Sequence, residues 1–214
     1  MTTKKLNFFI SINIKNYKNS IVKSTAQLEN IKNDLFLLSG LCSSNFTRLL
    51  IKNWYINIQS EKNNLLDLVE ILKKSAKIQI NYLNEISTYD VPSNTSRFTL
   101  NYIMSSISNS SGLILNIKVN ELDFVDSLSS LFKSAGWAER EVWDMFGICF
   151  ANHPDLRRIL TDYNFTGHPL RKDFPLSGYT DLFFDEKDKK TVYVPIELAQ
   201  EFRNYQYLSA WKKT

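Results

Sequence analysis

The stretch Phe98–Val119, FTLNYIMSSISNSSGLILNIKV, decides the fold of this chain. Apolar and polar residues alternate on both sides of a central run, Asn109–Gly112, that is rich in turn-forming residues. Alternation of this kind places successive side chains on opposite faces of a strand. The stretch therefore predicts a β-hairpin with one apolar face on each arm.

Patterns before and after this hairpin predict further strands and helices. Apolar residues alternate again over Arg48–Gln59 and Lys77–Tyr82, which predicts two more strands. Apolar residues recur every three or four positions in four segments, which predicts helices: residues 28–38, 65–72 (capped by Asn63 or Asn64), 128–135 and 137–146. Residues 1–150 are therefore expected to form an α+β domain, a mostly antiparallel sheet with helices on one face.

After Phe150 these patterns end. Three prolines, each following an aromatic or histidine residue, interrupt both helix and strand at positions 154, 169 and 175. A small hairpin is predicted over Asp181–Val194, and Pro195 is expected to start a last helix. Long irregular segments are uncommon inside compact domains. We therefore interpret residues 151–214 as an extended, irregular C-terminal segment that wraps a partner subunit.

The composition excludes several classes of protein. The chain has 214 residues, of which 43% are hydrophobic and 22% charged, as is usual for a globular protein. Its net charge of +4 is small, and its arginines alternate with Asp and Pro instead of forming a basic stripe, which argues against nucleic-acid binding. No run of eighteen apolar residues predicts a transmembrane helix.

The residue types that carry out catalysis or bind metals are few. Two cysteines, Cys42 and Cys149, cannot supply the four thiolates of a typical iron–sulfur cluster. Candidate zinc ligands occur at spacings that match no ordinary zinc site: Cys149, His153, Asp155, His168 and Asp173. A glycine-rich phosphate loop is also missing from the sequence. We therefore predict no catalytic, cofactor-binding or metal-binding residue in this chain, although a stand-alone enzyme that uses His153 or His168 remains an alternative.

Arginine is concentrated between Gly136 and Gly178, which holds four of the seven arginines although the chain has nineteen lysines. On the helix predicted there, Arg140 faces Trp137 at i−3 and Asp144 at i+4. This helix face is either solvated or partly buried against the C-terminal segment. Because the guanidinium fork suits carboxylate and backbone contacts, we predict a partner interface formed by Arg140, Glu141, Asp144, His153, Arg157, Arg158, His168, Arg171, Lys172, Asp173 and Phe174.

Several motifs in this region together resemble one family, the thirty-kilodalton subunit of respiratory complex I (NADH:ubiquinone oxidoreductase), called subunit 9 when mitochondrially encoded. The resemblance lies in Trp137–Glu141, Asp144–Ile148, His153–Tyr163, Gly167–Leu176 and Gly178–Tyr179. Shorter similarities are Asp90–Pro92 and Arg97–Phe98 upstream, and Glu201–Arg203 and Trp211 downstream. The chain departs from the family pattern at Asn164, where glycine is usual, and at Thr166, where an acidic residue is usual. The first eighty residues carry no motif of the family.

The resemblance implies a core subunit of the peripheral arm, on the matrix side of the mitochondrial inner membrane, which reaches the membrane only through the complex. It implies that the chain carries no redox centre, while the complex uses FMN, iron–sulfur clusters, NADH and ubiquinone in proton-pumping electron transport. The C-terminal segment is expected to clamp the forty-nine-kilodalton subunit that shapes the quinone pocket. Organelle encoding is a further expectation, and an organelle RNA-binding protein is the remaining alternative.

Overall fold

The computed structural model describes residues 48–52, 55–76, 78–108, 111–200 and 202–203. The helix predicted over residues 28–38 lies outside these ranges. The chain divides into two compact units, the first ending at Asp173 and the second beginning at Phe174. The first unit therefore extends beyond residue 150, where the sequence suggested a boundary, and the wrapping of a partner by residues 151–214 stays a prediction.

A five-stranded sheet forms the centre of the first unit. Its strands are β1 (Arg48–Lys52), β2 (Tyr55–Ser60), β3 (Tyr82–Asp90), β4 (Phe98–Ser106) and β5 (Ser111–Val119). They lie in the order β1-β2-β5-β4-β3, and every neighbouring pair is antiparallel except β2 and β5. The hairpin predicted from Phe98 to Val119 is confirmed as β4 and β5, while its tip residues 109–110 are outside the described ranges.

Two helices and a small parallel strand pair complete this unit. A 3₁₀ turn, Lys62–Asn64, leads into helix α1 (Leu65–Lys74), and helix α2 follows later as Ala135–Phe146. Strand β6 (Phe124–Asp126) pairs in parallel with β7 (Cys149–Ala151), which comes directly after α2.

A single hydrophobic core joins the sheet to both helices. Strands β4 and β5 contribute alternate residues that are almost completely buried: Phe98, Leu100, Tyr102, Met104, Leu113, Leu115, Ile117 and Val119. Helix α1 adds four residues at the predicted spacing: Leu65, Leu68, Val69 and Leu72. Helix α2 adds Ala135, Val142 and Phe146 to the same cluster. This arrangement confirms the predicted α+β fold with a mostly antiparallel sheet.

Two of the predicted strands are wrong in their limits. Residues 48–59 do not form one strand, because β1 and β2 are separate strands that pair antiparallel with each other. In the segment predicted over Lys77–Tyr82, residues 78–81 are not a strand either, since β3 begins only at Tyr82. Ile78 and Ile80 are buried as the alternation implied, but Gln79 between them has a φ of +47°, which extended backbone does not adopt.

The predicted helix over residues 128–135 is also wrong. Hydrogen-bonded turns occupy this stretch, with the amides of Leu131 and Phe132 both donating to the carbonyl of Leu128. The Leu128 amide donates to the Glu139 side chain at 2.7 Å, which holds the start of the stretch against α2. Gly136 lies inside α2 and does not end a helix, whereas the helix predicted over residues 137–146 is confirmed with two more residues at its start.

The second unit contains the hairpin predicted over Asp181–Val194, observed as β8 (Thr180–Asp185) and β9 (Lys190–Pro195). The helix predicted to start at Pro195 is not present in residues 196–200 or 202–203, and its later part is outside the described ranges. Instead the Ile196 amide donates to the carbonyl of Tyr179 at 3.2 Å, which continues the hairpin pairing past Pro195.

Candidate functional site

Helix α2 and the chain that follows β7 form the main candidate site. Residues 153–173, here called the anchored segment, bind the helix at its start, middle and end. At the start, Nε2 of His153 lies 3.2 Å from the carbonyl oxygen of Gly136. One turn later, Nε of Arg140 donates to the Arg157 carbonyl at 3.1 Å.

The Asp144 carboxylate is the central contact in the middle of α2. It is fully buried and accepts from Nη1 of Arg158 at 2.8 Å and from the Thr161 hydroxyl at 2.6 Å. Three successive amides also donate to its Oδ2, those of Ile159, Leu160 and Thr161, at 3.1, 2.8 and 3.0 Å. A single helix side chain therefore fixes four consecutive residues of the anchored segment.

These donors control the charge of Asp144. Burial alone would raise its pKa, but the hydrogen bonds from Thr161, Leu160 and Ile159 outweigh burial and lower the pKa to about 2. Asp144 is thus ionised at neutral pH and balances the positive charge of Arg158. The Arg158 guanidinium also lies 5.5 Å from the ring centre of Trp143 in α2 and 5.7 Å from that of Phe165 in the anchored segment.

The C-terminal end of α2 is capped by the end of the anchored segment. The last three helix carbonyls, those of residues 144–146, accept from Nδ1 of His168 at 3.0 Å, the Leu170 amide at 3.1 Å and Nε of Arg171 at 2.6 Å. Carbonyls at a helix end have no partner inside the helix. The anchored segment supplies these partners, which explains why it stays on the helix without regular secondary structure.

His168 acts here as a neutral hydrogen-bond donor. Burial lowers its pKa, and the nearby positive charges of Arg171 and Arg158 lower it further. The ring packs against Gly147, whose φ of +77° ends the helix. A Cβ at this glycine would lie 2.5 Å from the His168 ring, so the close approach of the segment requires glycine.

A second buried carboxylate, Asp90 at the end of β3, binds the last residues of the anchored segment. Arg97 donates to both of its oxygens at 2.8 Å, and the Lys172 amide donates to Oδ2 at 2.9 Å. Nη2 of Arg97 also lies 2.9 Å from the Asp173 carboxylate. The hydrogen bonds from Arg97 lower the pKa of Asp90, which remains charged. Arg171 adds an ion pair with Glu121 nearby.

A third buried carboxylate, Glu139 in α2, has a different environment. It accepts from the Ser127 hydroxyl at 2.6 Å and from the Leu128 amide at 2.7 Å. The nearest basic group among the described residues is Nε2 of His153, at 3.8 Å. Burial raises the pKa of Glu139 to about 7.

The structure brings most of the predicted interface residues together, but mainly with one another. Arg140 stacks over Trp137 at 5.1 Å as predicted, while the predicted i+4 partner Asp144 pairs with Arg158. Glu141 is exposed, although the sequence allowed it to be partly buried. Arg157 makes an exposed ion pair with Asp155.

The last three residues of the predicted interface, Lys172, Asp173 and Phe174, differ in what they contribute. Lys172 contributes its amide, and Asp173 its carboxylate. Phe174 belongs to the second unit, where it packs edge-on against Tyr179 at 5.5 Å. Contact between these residues and another protein stays a prediction.

The predicted set of interface residues omits several members of these clusters, among them Asp90, Arg97 and Glu139. The available signal was an acidic residue on the apolar side of a strand or helix, since such residues are rarely buried without partners. No three His, Cys, Asp or Glu side chains converge as metal ligands in the described part of the chain. Cys149 is free and half-buried, and Cys42 lies outside the described ranges.

The described part of the second unit has no core of its own. None of the described residues after Phe150 is buried. In the β8–β9 hairpin, four large apolar side chains are 50–55% exposed: Leu182, Phe183, Phe184 and Tyr193. Neither helix in the described ranges has the length and apolar character needed to cross a bilayer.

Comparison with known proteins assigns this arrangement to a family. Residues 58–180 match the family model described as the respiratory-chain NADH dehydrogenase, 30 Kd subunit. The chain belongs to this family. The match covers the end of β2, strands β3 to β5, both helices and the whole anchored segment, so the clusters described above are part of the family domain.

Relatives across most of the chain agree with this assignment. NADH-ubiquinone oxidoreductase subunit 9 of Dictyostelium citrinum is 41% identical over 92% of this chain and 93% of its own length. NADH dehydrogenase [ubiquinone] iron-sulfur protein 3 of Arabidopsis thaliana is 48% identical over 70% of this chain and 78% of its own length.

A solved structure shows the same fold. A chain of the membrane-bound sulfane sulfur reductase, an archaeal respiratory membrane complex, superposes with a TM-score of 0.60 at 18% identity. The superposition covers 69% of this chain and 86% of that one.

Proposed function

We propose that this chain is a non-redox core subunit of the peripheral arm of proton-pumping NADH:ubiquinone oxidoreductase, complex I, and that it holds the quinone module in position. It acts on the matrix side of the mitochondrial inner membrane and joins the membrane only through the complex. FMN and iron–sulfur clusters on other subunits carry the electrons from NADH to ubiquinone. Family membership supports the complex, and the features of the second unit support the scaffolding role.

The observation that carries the scaffolding role is the exposed apolar surface of the second unit. A two-stranded hairpin is at best marginally stable alone in water. Its aromatic residues are of the type that interfaces bury, and large exposed apolar groups mark binding surfaces. The β8–β9 hairpin combines these features, because Phe183, Phe184 and Tyr193 are half exposed and no described residue of the unit is buried. The partner is the forty-nine-kilodalton subunit of the same complex.

The anchored segment supports the same role through its position in the chain. It is fixed to α2 by Asp144 and to β3 by Asp90, and it ends at Asp173, next to the second unit in sequence. The chain thus leaves the first unit from a fixed point. If this connection were flexible, it would have to become ordered on docking, and the free energy of that ordering would oppose binding. A scaffold therefore needs a fixed connection.

The test uses membranes of cells that carry the variant Phe183→Ser/Phe184→Ser. Membranes are solubilised in mild detergent and separated on a native gel, which is stained for NADH-dependent dye reduction while this chain is located by mass spectrometry. We expect the wild-type chain in a very large NADH-active band and much less of the double variant there. The control is Lys187→Ser, at the exposed tip of the same hairpin, which should assemble normally.

Two results would contradict the proposal. If the wild-type chain migrates at its own mass of 24.9 kDa, away from the NADH-active band, it is not a subunit of the complex. If the double variant assembles as well as Lys187→Ser does, the hairpin is not a docking surface.

A further inference from the structure

The Ser127 hydroxyl lies between two possible hydrogen-bond acceptors, the Glu139 carboxylate and the Ser129 hydroxyl. The Ser127 oxygen lies 2.6 Å from Oε2 of Glu139 and 2.8 Å from the Ser129 hydroxyl oxygen, and it accepts from the Ser129 amide at 3.1 Å. A serine hydroxyl has one proton to donate. It can therefore donate to Glu139 or to Ser129, but not to both.

These two arrangements suit the two charge states of Glu139. When the carboxylate is ionised, Ser127 donates to Oε2, and the Leu128 amide donates to Oε1. When the carboxyl is protonated, Oε2–H can donate to Ser127, whose proton then points to Ser129. Rotation of one hydroxyl is enough to satisfy both states, and no backbone atom has to move.

We infer that Glu139 is a reversible proton-binding site inside the domain, and that rotation of the Ser127 hydroxyl allows the site to gain or lose its proton without unfolding. Ser129 is only half-buried, so the hydroxyl pair leads from the buried carboxyl towards solvent. The inference concerns the first unit alone and does not depend on the proposed scaffolding role.

The other titratable groups in the core around Glu139 do not release a proton in its place. Tyr102 on β4 is fully buried, and its hydroxyl has no hydrogen-bond partner within the described part of the chain. Burial raises the Tyr102 pKa, and the charges of Glu139 and of Asp126 on β6 raise it further, so this phenol stays protonated. The 127–129 turn contributes hydroxyls and amides but no charge.

His153, from the anchored segment, does not neutralise Glu139 in this geometry. Its Nδ1 accepts from the Asp155 amide at 3.1 Å, which requires that Nδ1 carry no proton. The single ring proton then lies on Nε2 and is donated to the Gly136 carbonyl at 3.2 Å. The imidazole is therefore neutral. An ionised Glu139 has no cation in hydrogen-bonding contact among the described residues, and the rise of its pKa to about 7 agrees with this.

The experiment follows glutamate carboxyl carbons by NMR in the full chain, labelled with ¹³C at that position, between pH 5 and 9. We expect one carboxyl to titrate near pH 7, and this transition to vanish in Glu139→Gln. In Ser127→Ala the midpoint should move upward, because the ionised carboxylate loses one of its two donors. Glu141→Gln, exposed on the same helix, should leave the transition unchanged.

The inference is overturned if no glutamate of the wild-type chain titrates between pH 6 and 8. It is also overturned if the transition persists in Glu139→Gln. A third contrary result is loss of the amide spectrum of the folded chain across the transition, since the site would then release its proton only by unfolding. The first and third of these results are measured on the wild-type chain alone. The test therefore does not require any variant to fold.

Discussion

Helix α2 buries two carboxylates, Asp144 and Glu139, and their surroundings give them opposite behaviour. Asp144 accepts five hydrogen bonds, one of them from the guanidinium of Arg158. Glu139 accepts two, both from neutral groups. Burial disfavours the charge of each, but only Asp144 has enough donors to overcome it. The number of donors therefore decides that folding lowers the pKa of Asp144 and raises that of Glu139.

At the scale of the residue, Asp144→Asn should destabilise the domain. The amide group of Asn would face donors and leave Arg158 partly buried without its counterion, which costs about 3–5 kcal/mol in comparable pairs. Urea unfolding of the full chain at pH 7 measures this loss. Glu141→Gln on the same helix is the control, and it should change the free energy of unfolding by less than about 0.5 kcal/mol. Equal stabilities of the two variants would contradict the central role of Asp144.

The acid dependence of stability should also depend on Asp144. Its pKa falls from 3.8 to about 2 on folding, so its contribution is complete above pH 4 and is lost as the pH falls towards 2. At about 1.4 kcal/mol per pKa unit, the contribution is about 2 kcal/mol. Unfolding curves at pH 2, 3 and 4 measure it. The loss of stability over this range should be smaller by that amount in Asp144→Asn; an identical loss would show that other groups cause it.

Glu139 should have the opposite effect on stability, which should fall as the pH rises. Its pKa rises from 4.5 to about 7 on folding, so its favourable contribution is complete below pH 4.5 and is lost as the pH rises to 7. By the same conversion the loss is about 3 kcal/mol. Glu139→Gln keeps the shape and stays neutral, so its unfolding free energy should change less between pH 5 and 8 than that of the wild type. Parallel pH profiles for the two proteins would contradict the assignment.

At the scale of the element, the two glycines of the α2 region provide a matched comparison. Gly147→Ala would place a Cβ 2.5 Å from the His168 ring and 2.6 Å from the Arg171 guanidinium at a φ of +77°, so these two side chains or the helix end must shift. Gly136→Ala lies inside the helix, 4.0 Å from the nearest side-chain atom, and should stabilise it by up to about 1 kcal/mol.

We expect Gly147→Ala to lose more than about 1 kcal/mol and to become sensitive to protease within residues 153–173. Thermal unfolding and limited proteolysis of the two variants measure both effects. Equal protease resistance in Gly147→Ala and Gly136→Ala would show that the close contact with His168 does not hold the segment.

Elements with a clear periodic pattern could be predicted from the sequence. The β4–β5 hairpin has alternation on both arms, and α1 has its apolar residues at helical spacing, so local order and burial agree there. The segment Ile78–Ile80 could not be predicted correctly. Its two isoleucines are buried on either side of Gln79, whose backbone lies in the left-handed region. Alternating burial thus arises without strand pairing, and the sequence alone does not distinguish the two cases.

The candidate site was only partly predictable for a different reason. The sequence singled out Asp144, Arg158 and Arg171, since their residue types are concentrated in one region. It assigned Asp144 to Arg140, its neighbour on the helix, because the i+4 rule is local. The observed partners come from 14 to 17 residues away for Asp144, and the amide of Lys172 reaches Asp90 across 82 residues. Such pairings depend on the path of an irregular segment, which has no periodic signal.

At the scale of the whole molecule, the two units differ in what stabilises them. The first has a continuous core and three buried carboxylates with defined partners. The second has a hairpin with exposed apolar side chains and no buried residue in its described part. Because burial of apolar surface is the main favourable term in folding, the stability of the chain should come almost entirely from the first unit.

A chain that ends at Asp173 should therefore retain its fold. Its free energy of unfolding should stay within about 0.5–1 kcal/mol of that of the full chain, since none of the described residues that are removed is buried. A chain that ends at Phe150 is the matched comparison, because it also removes the anchored segment. It leaves the Asp144 carboxylate and the last carbonyls of α2 without their partners, and it should unfold at much lower urea concentration.

Urea unfolding of the three chains, followed by circular dichroism, makes the measurement. If truncation at Asp173 is as damaging as truncation at Phe150, the second unit stabilises the first, and its exposed hairpin cannot be regarded as a surface reserved for a partner.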